Sequence, residues 1–308
     1  MMFRKIEKAI ASTDGIQNLR GAVYLPDGEI KGLVQIVHGM QEHIGRYEPF
    51  MGYLAQRGFL VFGYDHLGHG QTARSDEELG YFAAKHGHRY LVEDVHAFYT
   101  QVRAQYPGHP FILFGHSMGS FIVRLVAAKY GQELDGLIIC GTGGPNAMAG
   151  AGIALSKIIQ TLRGKKHISN TLKTLAFSKF NERFDADGEF GWISRDPDIR
   201  AAYAADPFCS FPFTASAMGD LVQLNRRCNQ PACYDKTPAQ LPILLISGTD
   251  DPVGGYGEGV KEVYEAYRRR GVTHVSMKLY EGCRHEILNE LNREEVYADI
   301  VSFLYTVV

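Results

Sequence analysis

The 308-residue chain predicts an α/β fold, a mostly parallel central sheet flanked by helices. Three observations carry the prediction. Short apolar runs alternate with longer helical stretches up to residue 140, and the alternation resumes after residue 240. A G-x-S-x-G sequence also falls between one such run and a helical stretch.

Each element follows from its own residues. Leu33–Val37 reads as a strand, and Arg46–Arg57 as a helix closed by Gly58. Phe59–Tyr64 is a strand, and His88–Gln105 a helix stopped by Pro107. Phe111–Phe114 is a strand, Ser120–Tyr130 a helix ended by Gly131, and Leu137–Cys140 a strand. Apolar runs of this length fit strands covered on both faces. From Thr142 to Gln240 no strand pattern emerges, and Asp196-Pro197, Asp206-Pro207 and Phe211-Pro212 interrupt the chain. The pattern returns with a strand at Pro242–Ser247, a helix at Glu258–Arg270, a strand at Val275–Tyr280 and a helix at Glu286–Val308. Residues 1–141 and 241–308 are therefore expected to form one sheet domain, with 142–240 inserted into it.

In that insertion Leu155, Ile158, Ile159 and Leu162 share one helical face. Seven basic residues and a single acid, Glu182, lie between Lys157 and Arg183. Two readings stand. The helix packs on the body behind a solvated basic rim, or it is a lid whose apolar underside meets substrate or, transiently, a membrane surface.

Composition excludes several classes. A net charge of −2 speaks against a nucleic-acid binder. The longest apolar run, Ala201–Ala205, is far too short to span a membrane. Residues 1–14 lack the apolar segment of a secretory signal, and five cysteines without C-x-x-C spacing read as free thiols in a reducing cytoplasm. No H-E-x-x-H occurs, and His66-x-x-His69 has no carboxylate or thiolate companion, so neither metal nor cofactor is expected. His38, His43, His66 and His69 read as loop organisers, and Gly254–Gly259 as a flexible loop without a phosphate-binding Lys-Ser/Thr ending.

The chemistry-bearing motif is Gly115-His116-Ser117-Met118-Gly119. A serine on a sharp strand-to-helix turn exposes its hydroxyl, and only small neighbours fit the crowded backbone. The helix start adds unpaired N–H groups and the positive end of a dipole. A hydroxyl becomes a useful nucleophile only when a base takes its proton, and an imidazole base needs a carboxylate to fix its tautomer. The later strands supply both. Asp250 and Asp251 follow the strand ending at Ser247, and His285 follows the strand ending at Tyr280. Cys283, close by, reads as a packed thiol because the turn carries serine. One N–H for a developing oxyanion comes from Met118, and a second from the loop after Leu33–Val37. Trp192, Arg195 and Asp196 either order the insertion or line the pocket.

The chain resembles α/β-hydrolases of the monoglyceride lipase/lysophospholipase type, also described as serine aminopeptidase-like. The resemblance runs through His38-Gly39-Met40-Gln41-Glu42-His43 to Arg46-Tyr47, Asp65-His66-Leu67-Gly68-His69-Gly70, the serine turn, Gly248-x-x-Asp251, and Tyr280-Glu281-Gly282 to His285. It covers nearly the whole chain except the insertion; Thr72, where many members have serine, departs from it. The resemblance implies an α/β-hydrolase fold with a helical lid between the sixth strand and the acid-bearing strand. It selects Asp251 as the acid beside Ser117 and His285, and Met40 as the second oxyanion donor beside Met118. It further implies a small-molecule ester substrate with an acyl chain and a glycerol- or glycerophospho-type leaving group. The same scaffold also serves peptidases, whose substrate ammonium would require anionic groups in the lid, and non-catalytic binders, which usually lack a triad member.

Overall fold

In the computed structural model, which describes residues 3–308, eight strands build one sheet. They are β1 (Phe3–Ala11), β2 (Asn18–Pro26), β3 (Gly32–Val37), β4 (Phe59–Tyr64), β5 (Phe111–His116), β6 (Gly136–Cys140), β7 (Ile243–Gly248) and β8 (Val275–Tyr280). Their spatial order is β1-β2-β4-β3-β5-β6-β7-β8. The strands from β3 to β8 pair in parallel, and β1 and β2 add an antiparallel edge. The chain steps from β3 to β4 on one side, then returns past β3 to β5. That reversal opens a crevice beyond the C-terminal ends of β3 and β5, where Val37 pairs with Gly115.

Among the described residues ten α-helices occur, in chain order: α1 (Glu48–Ala55), α2 (Gly87–Gln105), α3 (Met118–Tyr130), α4 (Ala149–Arg163), α5 (Asn170–Phe177), α6 (Pro197–Ala205), α7 (Ala215–Cys228), α8 (Pro231–Lys236), α9 (Glu258–Arg269) and α10 (Arg293–Val307). Phe50, Leu54, Val296 and Ile300 of α1 and α10 cover one face of the sheet. Phe98, Ile122 and Val263 of α2, α3 and α9 cover the other. Every residue of β3 to β7 is buried between these layers, which is why those strands read as unbroken apolar runs.

Three expectations are corrected. The sequence reading gave no strand before Leu33. β1, with Arg4, Lys5, Glu7 and Lys8 mostly exposed, has the charged character of an edge strand and no core signature. The first helix starts at Glu48, after a short 3-10 turn at Ile44–Tyr47, rather than at Arg46. The last helix starts at Arg293 and not at Glu286, because Glu286 and Glu290 turn inward to Arg46 and Arg195.

Between β6 and β7 the chain forms α4 to α8 and, among the described residues, no strand beyond a single Ile168–Thr214 bridge. The stripe on α4 splits. Leu155 and Ile159 are half-buried, whereas Ile158 is 55% and Leu162 75% exposed. The reason is the α4–α7 contact. It runs through Ser156, whose hydroxyl donates to the Ala215 carbonyl at 2.8 Å and lies where a side chain on Gly219 would be. Among the described residues no helix is long and apolar enough to cross a membrane.

Candidate active site

Ser117 sits between β5 and α3 with φ 53° and ψ −120°. A non-glycine residue in such a region costs about 1–3 kcal/mol and persists only when its surroundings hold it. Here they do. The Ser117 N–H donates to the Cys140 carbonyl at 3.0 Å, and the Ser117 carbonyl accepts from the Ser120 N–H at 2.9 Å and the Ser120 hydroxyl at 2.5 Å. Gly119 packs so tightly on the Val37 and His38 carbonyls that a Cβ would overlap them.

Two loops face this turn. In the loop after β3, the Gly39 N–H donates to Glu42 Oε1 at 2.5 Å and the Gln41 N–H to His69 Nε2 at 3.3 Å. Between them the Met40 N–H takes no acceptor among the described residues. The Met118 N–H, at the first position of α3, is an unpaired helix-start donor as well. In the loop after β8, His285 Nδ1 lies 2.9 Å from Asp251 Oδ1. Since a carboxylate only accepts, Nδ1 carries the proton and Nε2 presents its lone pair. Asp251 is fully buried and also accepts from the Ser247 hydroxyl at 3.0 Å and the Val253 N–H at 2.9 Å. Burial alone would push its pKa up; His285 and these hydrogen bonds outweigh that and hold it below its ordinary value. Asp250, half-buried, has no contact of this kind with His285.

Met40, Ser117, Met118 and His285 all line one cavity of about 470 Å³. Its walls are largely apolar, with Phe177, Phe180, Trp192, Leu221 and Val222 contributed by the segment between β6 and β7. Trp192 is placed on the wall, its ring centroid 5.2 Å from that of His285 and its carbonyl accepting the His285 N–H at 3.3 Å. Arg195 and Asp196 lie outside the wall. Arg195 pairs with Glu290 at 2.9 Å, and Asp196 caps α6.

Sequence reasoning missed a buried ionic network beneath the serine turn. Glu42 Oε1 accepts from the Tyr47 hydroxyl at 2.8 Å and from His116 Nδ1 at 3.1 Å. Arg46 bridges Glu42, at 3.2 Å, to Glu286, at 2.5 Å. His116 Nε2 reaches the His285 carbonyl at 3.2 Å. Burial works against both charges. The hydrogen bond and opposite charge that they share nonetheless hold Glu42 well below the carboxylate range and raise His116. The network joins the β3 loop, the serine turn and the His285 loop. Glu42, Arg46 and His116 lay in motifs already read, but Glu286 is 240 residues from Arg46, and only the fold brings it there.

The loop histidines form a cluster, with His38 and His66 ring centroids 4.1 Å apart. Thr72 joins the same loop, donating to the Asp65 carbonyl and accepting the Arg20 N–H. Among the described residues, His43, Asp206 and Cys209 bring possible metal-ligand atoms within 4.8 Å of one another. His43 and Asp206 already pair at 2.9 Å, which ties the β3–α1 loop to the α6–α7 loop.

Residues 28–292 match the family model described as serine aminopeptidase, S33. The chain belongs to this family. Relatives of the chain include the monoacylglycerol lipase of Mycolicibacterium smegmatis, 30% identical over 97% of this chain and 96% of that protein. The monoglyceride lipase of Homo sapiens is 35% identical over 92% of this chain and 84% of that protein. A crystal structure of a thermostable carboxyl esterase from Bacillus coagulans, in complex with glycerol, superposes with a TM-score of 0.92 at 36% identity, covering 100% and 99% of the two chains. The chain is thus a hydrolase with the α/β-hydrolase fold.

Proposed function

We propose that the protein hydrolyses monoacylglycerol-type carboxylic esters through an acyl-enzyme on Ser117. One observation carries the reading. A strained serine, an Asp251-oriented imidazole and two unengaged N–H groups meet at the base of one apolar-walled cavity.

In the proposed reaction Ser117 Oγ attacks the acyl carbonyl while His285 Nε2 takes the hydroxyl proton. The Met40 and Met118 N–H groups hold the resulting oxyanion, each worth about 3–4 kcal/mol in the transition state. Collapse breaks the bond to the leaving alcohol, which departs with the proton from His285, and the acyl group stays on Ser117. Water, deprotonated by His285, attacks the acyl-serine. The fatty acid leaves and Ser117 recovers its proton. Asp251 holds the tautomer throughout.

Residues 142–240 serve in this reading as the lid. Their apolar residues enclose the acyl chain, and exposed Ile158, Leu162 and Leu175 touch the lipid surface on which substrate arrives. The glycerol-type alcohol accords with the names of the two lipases and with the glycerol held by the esterase structure. A second reading, removal of N-terminal residues from peptides, is favoured by Glu262, a cavity-lining carboxylate that makes no ion pair among the described residues. The basic tract between Lys157 and Arg183, in the segment that would cover the substrate, opposes it.

A hydrolysis panel tests the ranking, with Ser117→Ala as the blank. Monoacylglycerols should give the highest kcat/KM, above p-nitrophenyl butyrate, lysophospholipids and aminoacyl naphthylamides. Highest turnover of the aminoacyl amides would replace the ester reading with the peptidase one.

A further inference from the structure

A second recess, of about 300 Å³, lies on the far side of α7 from the substrate cavity. It opens where the loop entering α2 meets α4 and α7. Lys85, Arg89, Lys157, Lys165 and Arg227 line it. Ion pairs such as Arg46–Glu286 and Arg195–Glu290 lie elsewhere; among the described residues none of these five cations has an acidic partner. In a chain of net charge −2, five unpaired cations around one concavity are a local excess that water alone compensates.

The recess contains one carboxylate, Asp220, and it is already engaged. Its Oδ1 accepts from His88 Nδ1 at 2.5 Å. His88 belongs to the recess wall and is only 6% exposed, and its Nε2, on the opposite edge of the ring, is buried without a hydrogen-bond partner among the described residues. That nitrogen is closed off from the recess, so His88 serves there through its hold on Asp220. His88 lies in the first turn of a 19-residue helix, whose positive dipole end favours an anion.

We propose that this recess binds a phosphate group, carried by a small soluble phosphomonoester or by a lipid headgroup. The chemistry selects phosphate over a carboxylate. A dianion with several acceptor oxygens engages two arginine forks and three ammonium groups, where a monocarboxylate leaves most of them unpaired. α7 shows both faces to ligands: Asp220, Gln223 and Arg227 to this recess, Leu221, Val222 and Asn225 to the substrate cavity. An occupant therefore braces the wall of the substrate cavity against α2 and α4. The claim of binding stands independently of the ester reading.

Calorimetry and thermal denaturation of the full chain with glycerol 3-phosphate or inorganic phosphate, at constant ionic strength set by chloride, test the soluble source. Flotation with phosphatidylcholine vesicles, with and without phosphatidic acid, tests the lipid source. The expected result is saturable binding in at least one arm. In the soluble arm, Tm also rises with ligand concentration. Lys157→Glu and Arg227→Glu should each weaken binding by roughly tenfold or more. Both side chains are exposed on separate helices, so misfolding of one variant leaves the other to decide. Saturable binding of the soluble phosphates assigns the site to free phosphomonoesters, and binding confined to phosphatidic acid vesicles assigns it to a headgroup. No binding in either arm, or binding equally strong in the folded variants, overturns the proposal.

Discussion

At the scale of single residues, the account turns on which carboxylate serves His285. Asp251 is buried, 2.9 Å from Nδ1 and held ionised by its hydrogen bonds, whereas Asp250 makes no such contact. Asp251→Asn should therefore lower kcat by roughly 10⁴-fold, by imposing the wrong imidazole tautomer. Asp250→Asn should leave kcat within a few-fold; steady-state kinetics of the two variants checks the pair, and the reverse order moves the acid role to Asp250. These residues were legible because each follows a strand, and the strand ends of a parallel sheet meet on one rim. Chemistry in the sequence could not choose between the adjacent aspartates; only the resemblance did, since both have the same side chain in the same loop. The Glu42–Arg46–Glu286 network was not legible as a network. Its members carry no shared spacing, and the Glu286 position read as the start of a helix.

At the scale of elements, the serine turn is a close packing of backbone on backbone. Gly119 leaves no room for a side chain beside the Val37 and His38 carbonyls, and Gly115 none beside Gly119 itself. Gly119→Ala should cost about 2–3 kcal/mol of stability through overpacking. It should also lower kcat, because relief of the overlap displaces the Met118 N–H. Urea denaturation and kinetics of the variant test both, and an unchanged midpoint contradicts the close approach. The central strands were readable because burial on both faces leaves unbroken apolar runs. The edge strand β1 was not, since an exposed edge carries charges that resemble loop sequence. The α4 stripe showed a helix but not which residues would be covered, because the covering element, α7, approaches through small residues that leave no apolar signature.

At the scale of the whole molecule, buried histidines make stability depend on pH. Burial holds His38 well below its ordinary 6.5, His66 at about 3 and His69 at about 4. They stay neutral in the folded protein, while the unfolded chain protonates them below about pH 6.5. The unfolded state thus binds more protons between pH 6.5 and about 4, and stability falls as pH falls, by about 1 kcal/mol per pH unit for each histidine. The raised His116 has the opposite sign, its contribution being present below 6.5 and lost as pH rises through its folded value. The depressed Glu42 contributes above its ordinary 4.5 and loses that contribution only as pH falls further. Thermal denaturation from pH 8 to pH 4.5 should show Tm dropping below about pH 6.5; a flat profile contradicts neutral burial of the three rings. The measurement that bears most directly on the account as a whole is mass spectrometry of the enzyme acid-quenched during turnover of a p-nitrophenyl ester. The account predicts an acyl group on the peptide containing Ser117, absent from Ser117→Ala. Turnover without any adduct there, or an adduct on a cysteine that persists in Ser117→Ala, contradicts it.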